Sequence, residues 1–241
     1  MAHAKWQLRF PAQEGTINTS SHPPVTGKDN AMPRQLVAAL VLFIAAAGHA
    51  PAAEDAAVGF TPLFDGKTLN GWKPLPGGKW EVKDGAILGT SARSERRHGL
   101  LMSDRDYSDF EVRFQFRVVK GNSGFYFRSE PVKHAVGVHG FQAEVDNSPA
   151  VSGLYETGGR AWVVRPDPKV IQEIYKPGEW NRMSVTAAGR SVVVTLNGVK
   201  TSELKDDSGR VKGRFAMQLH GGQDMEVMFK AIEIRDLTAE K

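Results

Sequence analysis

Hydrophobic and polar residues alternate with period two along most of the chain from Phe60 onward, and the clearest case is Asp109 to Val118. There Phe110, Val112, Phe114, Phe116 and Val118 fall on one face and Glu111, Arg113, Gln115 and Arg117 on the other, the pattern of a half-buried strand. Shorter signals of the same kind recur at Trp80–Val82, Ala86–Gly89, Ser123–Arg128, Val138–Asp146, Ala161–Val164, Arg182–Ala187, Ser191–Leu196, Phe215–Leu219 and Met225–Ile234. Turn pairs separate them, among them Asp84-Gly85, Gly121-Asn122, Gly158-Gly159, Asn197-Gly198 and Gly221-Gly222. No segment carries a convincing amphipathic helical period. Many short strands at close spacing predict an all-β fold, two packed antiparallel sheets forming a sandwich or jelly roll. No linker or repeat divides residues 58–241, so a single domain is expected.

The N-terminal part reads differently. Met32-Pro33-Arg34-Gln35, the apolar run Leu36–Ala47 and the small-residue stretch ending at Ala53 have the three regions of a secretory signal peptide. The apolar run is too short to span a bilayer comfortably. Residues 32–53 are therefore expected to be a signal, residues 1–31 a non-native or disordered extension preceding the true start at Met32, and residues 54–241 the functional domain. Removing residues 1–53 takes four of the 31 basic and two of the 27 acidic residues and leaves a net charge of +2. Such a balance gives no footprint for nucleic acid or an anionic membrane. With no cysteine in the chain, disulfides, thiolate metal ligands, a thiol nucleophile and a lipidated N-terminal Cys are all excluded. A periplasmic or secreted protein, without a membrane anchor after signal cleavage, is the expectation.

Candidate chemistry sits on the polar faces of three strands. Alternation puts Gln142, Glu144 and Asp146 on one face of Gly140–Asp146, with Phe141, Ala143 and Val145 opposite. Carboxylates two apart on one strand face repel unless a cation, a proton or a ligand offsets them. The same rule groups Tyr126 and Arg128 on Gly124–Arg128, and Gln218 with His220 on Phe215–His220. If these strands are neighbours, the combined face offers a base, an acid, a cation and amides to a polyhydroxylated ligand. Trp72 and Trp162 could be exposed sugar platforms, whereas Trp180 is expected in the core. Asp65 and Asn181 read as turn and strand-end hydrogen bonders. His134, His139 and Glu130 lie close in sequence, but no His-x-His or His-Glu-x-x-His spacing occurs. No cofactor is predicted, and a divalent metal held by carboxylates and His stays open.

These segments occur in a recognisable order: Leu63-Phe64-Asp65-Gly66-Lys67, Leu69-Asn70-Gly71-Trp72, Trp80-Glu81-Val82-Lys83-Asp84-Gly85, Gly121-Asn122-Ser123-Gly124, Gly140–Asp146, Ser152-Gly153-Leu154-Tyr155-Glu156, Glu179-Trp180-Asn181, Leu196-Asn197-Gly198, Gln218-Leu219-His220-Gly221-Gly222 and Phe229–Ile234. In that order, across about residues 58–237, the chain resembles the 3-keto-disaccharide hydrolase domain family. The resemblance implies a concanavalin A-like jelly roll and cleavage of glycosides already oxidised to a ketone at sugar carbon 3. The ketone acidifies the C2 proton, so a base can remove it, the aglycone leaves from C1, and water adds to the enone. On this resemblance Glu144 is expected as base, Arg128 as stabiliser of the enolate oxygen and His220 as proton donor. Gln142 and Asp146 would orient hydroxyls, with Tyr126, Tyr155, Glu156 and Gln218 completing the sugar site.

Two other readings remain open at the level of sequence. A two-carboxylate glycosidase on this fold would show Glu-x-Asp-x-x-Glu, but Pro149 stands where the last Glu belongs after Glu144 and Asp146. A noncatalytic carbohydrate-binding module would need only the sandwich, the tryptophans and the polar face.

Overall fold

The computed structural model of the protein describes residues 59–238. The expected signal segment at 32–53 and the extension before it lie outside the described residues. In chain order the elements are β1 (Thr61–Pro62), β2 (Trp72–Leu75), β3 (Lys79–Lys83), β4 (Ala86–Ser91), β5 (Gly99–Tyr107), β6 (Phe110–Lys120), β7 (Asn122–Pro131), β8 (Val138–Asp146), β9 (Leu154–Thr157), β10 (Ala161–Val164), α1 (Pro168–Ile174), β11 (Asn181–Ala188), β12 (Ser191–Leu196), β13 (Val199–Leu204), β14 (Gly213–Leu219) and β15 (Met225–Asp236). They form a two-sheet antiparallel β-sandwich of the concanavalin A-like jelly-roll kind. One sheet runs β13-β12-β11-β6-β15-β4-β3, with β1 on β15, and the other β10-β9-β8-β7-β14-β5-β2.

The period-two pattern decides which side of each strand meets the core. Phe110, Val112, Phe114, Phe116 and Val118 of β6 are buried in strict alternation against Phe125 and Phe127 of β7, Phe141, Ala143 and Val145 of β8, and Phe215, Met217 and Leu219 of β14. The rings of Phe114 and Phe125 stack across the interface at 4.3 Å. Burial of this aromatic layer is the main stabilising term of a domain that has no disulfide. Because β8 sends its apolar residues inward, Gln142 and Glu144 must point to the opposite face of their sheet.

Several elements escape the alternation rule. β5 opens with Leu100, Leu101, Met102 and Ser103 all buried, because its outer face is covered as well, so no period shows. β2 carries Pro74 and β13 buries only Ser202, as their places at the two sheet edges allow. The seven-residue helix α1 corrects the expectation of no helix. Asp167 caps it by accepting from the Lys169 N–H at 2.9 Å, Pro168 follows, and only Ile171 is buried, too little for a helical period to register. Trp72 is also corrected: it is 6% exposed and its indole N–H donates to the Leu63 carbonyl at 2.8 Å, so it is a core residue and no sugar platform. Trp180 is only half-buried, under the Lys230 ammonium at 4.2 Å and the Arg117 guanidinium at 5.2 Å.

Candidate active site

Strands β9, β8, β7 and β14 are consecutive neighbours, so the three polar strand faces meet on one surface. Register places Gln142 between Tyr126 on β7 and Tyr155 on β9, and Tyr155 in turn opposite Trp162 on β10. Gly124 lies opposite Glu144, and a β-carbon there would stand 2.6 Å or less from three atoms of the Gln142 side chain. The missing side chain thus lets Gln142 lie flat and reach its neighbour. Above this row is a cavity of about 370 Å³, whose walls include Glu144, Gln142, Tyr126, Gln218, His220 and His98. That volume is in the range of small-molecule sites.

Glu144 is 5% exposed and tied at every point. Its backbone N–H donates to the Gly153 carbonyl at 3.0 Å and its carbonyl accepts from the Ser152 N–H at 2.8 Å. The Asn122 amide donates to Oε1 and the Gln142 amide to Oε2, the latter at 2.9 Å. Burial, reinforced by the Asp146 charge, raises its pKa from 4.5 to about 8 against the opposing Asn122 hydrogen bond and Arg165 cation. At neutral pH Glu144 therefore holds its proton.

Two histidines face the cavity with opposite polarity, fixed by one residue. His220 Nδ1 lies 2.8 Å from the Gly221 carbonyl, which can only accept, so in the neutral ring Nδ1 carries the hydrogen and Nε2 is bare. His98 Nδ1 accepts from the Gly221 N–H at 2.9 Å, so its hydrogen is on Nε2. The rings are 4.4 Å apart, because β5 pairs Gly99 with Leu219 and brings the preceding and following residues together. Burial, reinforced by His220, holds the His98 pKa down to about 4, so His98 is a neutral hydrogen-bond donor. Beside them Tyr126 stays a phenol, its pKa raised by burial, and its hydroxyl joins Thr157 Oγ1 at 3.0 Å and the Gln218 amide at 3.1 Å. Gln218 Oε1 is buried with no hydrogen-bond partner, an acceptor for a ligand hydroxyl.

The structure gathers Glu144, His220, Gln142, Tyr126, Tyr155 and Gln218 around the cavity, with Trp162 on its wall. It does not bring Arg128 there. Register shifts between Phe127 and Glu130, so Arg128 and Ser129 oppose Gly140 in a bulge, and Arg128 takes a φ of 48°. A β-carbon on Gly140 would be 2.6 Å from Ser129. The alternation that had put Arg128 beside Tyr126 breaks at this bulge. Its guanidinium, 1% exposed, instead donates to the Ser108 carbonyl at 2.8 and 3.0 Å and pairs with Asp109 at 3.3 Å. Glu156 is likewise turned away: it pairs in register with core-facing Phe141 and bonds Arg160 at 2.5 Å. Asp146 stands off the cavity wall, accepting from the Ser148 N–H at 3.1 Å and acting on Glu144 through its charge. Asp65 and Asn181 hold turns, as expected: Asp65 accepts from the Lys67 and Thr68 N–H groups, and the Asn181 amide donates to the Lys176 and Glu179 carbonyls.

Asn122, His98 and Arg165 were missed. By sequence Asn122 falls in the Gly121-Asn122 turn pair, and His98 follows Arg96-Arg97 in a stretch without alternation. His-Gly occurs at 98–99, 139–140 and 220–221, so the dipeptide does not single out the histidine pair, which is set by the register of Gly99 against Leu219. Arg165 lies 4.0 Å over the Trp162 ring. Among the described residues no group of three or more His, Asp and Glu stands close enough to hold a metal ion.

Residues 59–235 match the profile of the 3-keto-alpha-glucoside-1,2-lyase-like domain. The chain is 28% identical over 158 residues to a 3-keto-disaccharide hydrolase of Bacteroides thetaiotaomicron, covering 56% of this chain. It spans about half, 54%, of that relative's length. A crystal structure from Parabacteroides distasonis, provisionally named a glycosyl hydrolase, superposes with a TM-score of 0.54 at 25% identity, covering 74% of this chain and 99% of the other. The carbohydrate-binding module CBM66 of Bacillus subtilis shares the fold, with a TM-score of 0.52 at 18% identity over 69% of this chain and 96% of its own.

Proposed function

The chain belongs to the 3-keto-alpha-glucoside-1,2-lyase-like domain family, and from that membership we propose that it cleaves 3-keto-glycosides by elimination followed by hydration. The observation that carries the reading is the Gly221 peptide pair: it leaves a bare nitrogen on His220 and a hydrogen on His98 Nε2, beside a protonated Glu144. On this reading His220, His98 and Glu144 offer a base, an oxyanion donor and an acid to one cavity. Glu144 is also the only carboxylate among the described residues on its wall, which disfavours a two-carboxylate hydrolysis.

In the proposed sequence His220 Nε2 takes the C2 proton, and its electron pair moves into the C2–C3 bond as the C3 ketone oxygen becomes an enolate. His98 Nε2–H donates to that oxygen, the task first expected of Arg128. When the carbonyl re-forms, the C1–C2 double bond forms, the C1–O bond breaks, and Glu144 gives its proton to the departing oxygen. Water then adds at C1, leaving its proton on the Glu144 carboxylate, and the His220 imidazolium returns its proton to C2, which restores both groups and releases the 3-keto sugar. Roles are exchanged between Glu144 and His220 relative to the sequence expectation, because burial keeps Glu144 protonated. Gln218 Oε1 and the Tyr155–Trp162 corner, with rings edge-to-face at 5.4 Å, would receive the sugar.

The test is turnover of 3-keto-glucosides with graded leaving groups by the protein and its Glu144→Gln variant, with and without chelator. An acid role predicts a loss of about 10²- to 10⁴-fold for poor leaving groups, shrinking toward none for nitrophenoxide. A loss equal for all leaving groups would restore Glu144 as base. Sugar binding without any turnover would leave a carbohydrate-binding module, the use that the CBM66 fold relative's name records. The signal-like segment at 32–53 supports action in the periplasm or outside the cell, and recovery of the protein only from the cytoplasm would refute that.

A further inference from the structure

A second cavity, of about 550 Å³, opens beside the first and shares His98 with it. Its walls are of another kind: the surface is mostly apolar, with Leu75, Pro76, Leu100, Val132 and Ala135 on it, and Arg97, Lys133 and His134 are the polar side chains beside His98. Both cavities stand on one face of one sheet. Leu100 on β5 pairs with Gln218 on β14 and with Leu75 on β2, so the row that is polar at Gln218 turns apolar within one strand. Tyr126, on the wall of the polar cavity, and Leu100, on the wall of the apolar one, belong to a single packed cluster, with Leu75 and Val136 against it. The loop carrying Val132 and Ala135 is held in place, for the Ala135 carbonyl accepts from the His98 N–H and the Val132 N–H donates to Gly137, each at 3.0 Å.

A ligand bound by its sugar in the polar cavity can therefore pass its C1 substituent across His98 into apolar surroundings. We infer that the second cavity is the aglycone subsite and selects an apolar, ring-bearing aglycone over a second sugar. A second sugar would turn most of its hydroxyls toward Leu, Val and Pro side chains, with only Arg97, Lys133 and His134 to meet them besides His98, and each buried hydroxyl left unpaired is a net cost. An aromatic ring would lose water against those apolar side chains. The inference rests on the proposed cleavage only in naming the bound group an aglycone; the binding preference stands independently of turnover.

The experiment compares benzyl with methyl 3-keto-glucoside, whose leaving alcohols are of similar acidity, and both with a 3-keto-disaccharide. The non-oxidised benzyl and methyl glucosides are titrated in parallel by calorimetry. The full chain is used, with Val132→Asn to make the wall polar and Leu75→Ser as a second variant should the first fail to melt cooperatively. The expected result is kcat/KM about tenfold or more higher for the benzyl than the methyl substrate, falling about fivefold in the variant while the methyl substrate is unchanged. Turnover with no benzyl preference, or a preference untouched by both variants, overturns the subsite and leaves the cleavage reading intact. Absence of turnover together with tighter benzyl glucoside binding that the variants weaken keeps the subsite and removes the cleavage reading. Absence of both removes both.

Discussion

Replacing Glu144 by Gln should change how stability depends on pH, and the size of the change follows from the burial of one carboxyl. In the folded protein its pKa stands at about 8 instead of 4.5. Between those values the folded state keeps a proton that the unfolded chain has released, so stability falls as pH rises, by about 1.4 kcal/mol per pH unit. Below 4.5 both states are protonated and the benefit is complete; above about 8 both are ionised and it is gone. The total is on the order of 5 kcal/mol, a ceiling because water entering the cavity would soften it. His98 acts in the opposite sense, since its folded pKa is depressed from 6.5 to about 4 and stability is lost as pH falls through that window. From pH 4.5 to 6.5 the two slopes oppose each other, and from 6.5 to about 8 Glu144 acts alone. Urea denaturation at constant slope, from about pH 5 to pH 9, should show the parent protein losing stability above pH 6.5 and the Gln variant level there. On the acid side the variant should weaken where the parent is nearly flat. Gln also sets an amide donor against Asn122 or Gln142, a pH-independent offset of about 1–3 kcal/mol that moves the curve without tilting it. Parallel curves for the two proteins above pH 6.5 would refute the placement of a protonated, desolvated Glu144.

Neighbours of Glu144 should move the same titration in opposite directions. Asp146→Asn removes a repelling charge and should lower the pH at which kcat/KM falls, whereas Asn122→Ala removes a hydrogen bond to the carboxylate and should raise it from about 8; pH–rate profiles of the two variants, shifted in a common direction, would contradict the assignment. His98→Ala should cost about 10²- to 10³-fold in kcat with little change in KM, as expected for a donor that meets its partner only when the enolate forms, and a change confined to KM would reduce His98 to a binding residue. Arg128→Ala removes the buried guanidinium that serves Ser108 and Asp109, so it should destabilise the fold by about 3–5 kcal/mol in a denaturant titration. A stable but inactive Arg128→Ala protein would return that residue to the chemistry.

How much of this was legible in the sequence turns on where period two holds. It held through β6, β8 and the first half of β7, so the core face and the polar row Gln142–Glu144 could be read directly. It failed after Phe127, where one inserted residue in a bulge reversed the side to which Arg128 points, and no hydrophobic pattern marks a bulge made of Arg128, Ser129 and Gly140. It held at β9, where adjacent Tyr155 and Glu156 face opposite sides and cannot both line the cavity; pairing with Gln142 and Phe141 decides that Tyr155 does. His98 and Asn122 were hidden for another reason. Each acts from the end of a strand, where its position depends on a neighbouring strand's register: Gly99 against Leu219 for the one, Asn122 against Asp146 for the other. The sequence could name the residue types that such chemistry requires, but only the pairing of β5 with β14 sets the His98 imidazole, and not the Arg128 guanidinium, on the cavity wall as the proposed oxyanion donor. The same pairing, Leu100 against Gln218, joins the polar cavity to the apolar one, so a shift of register there would disturb the proposed acid–base chemistry and the proposed aglycone choice together.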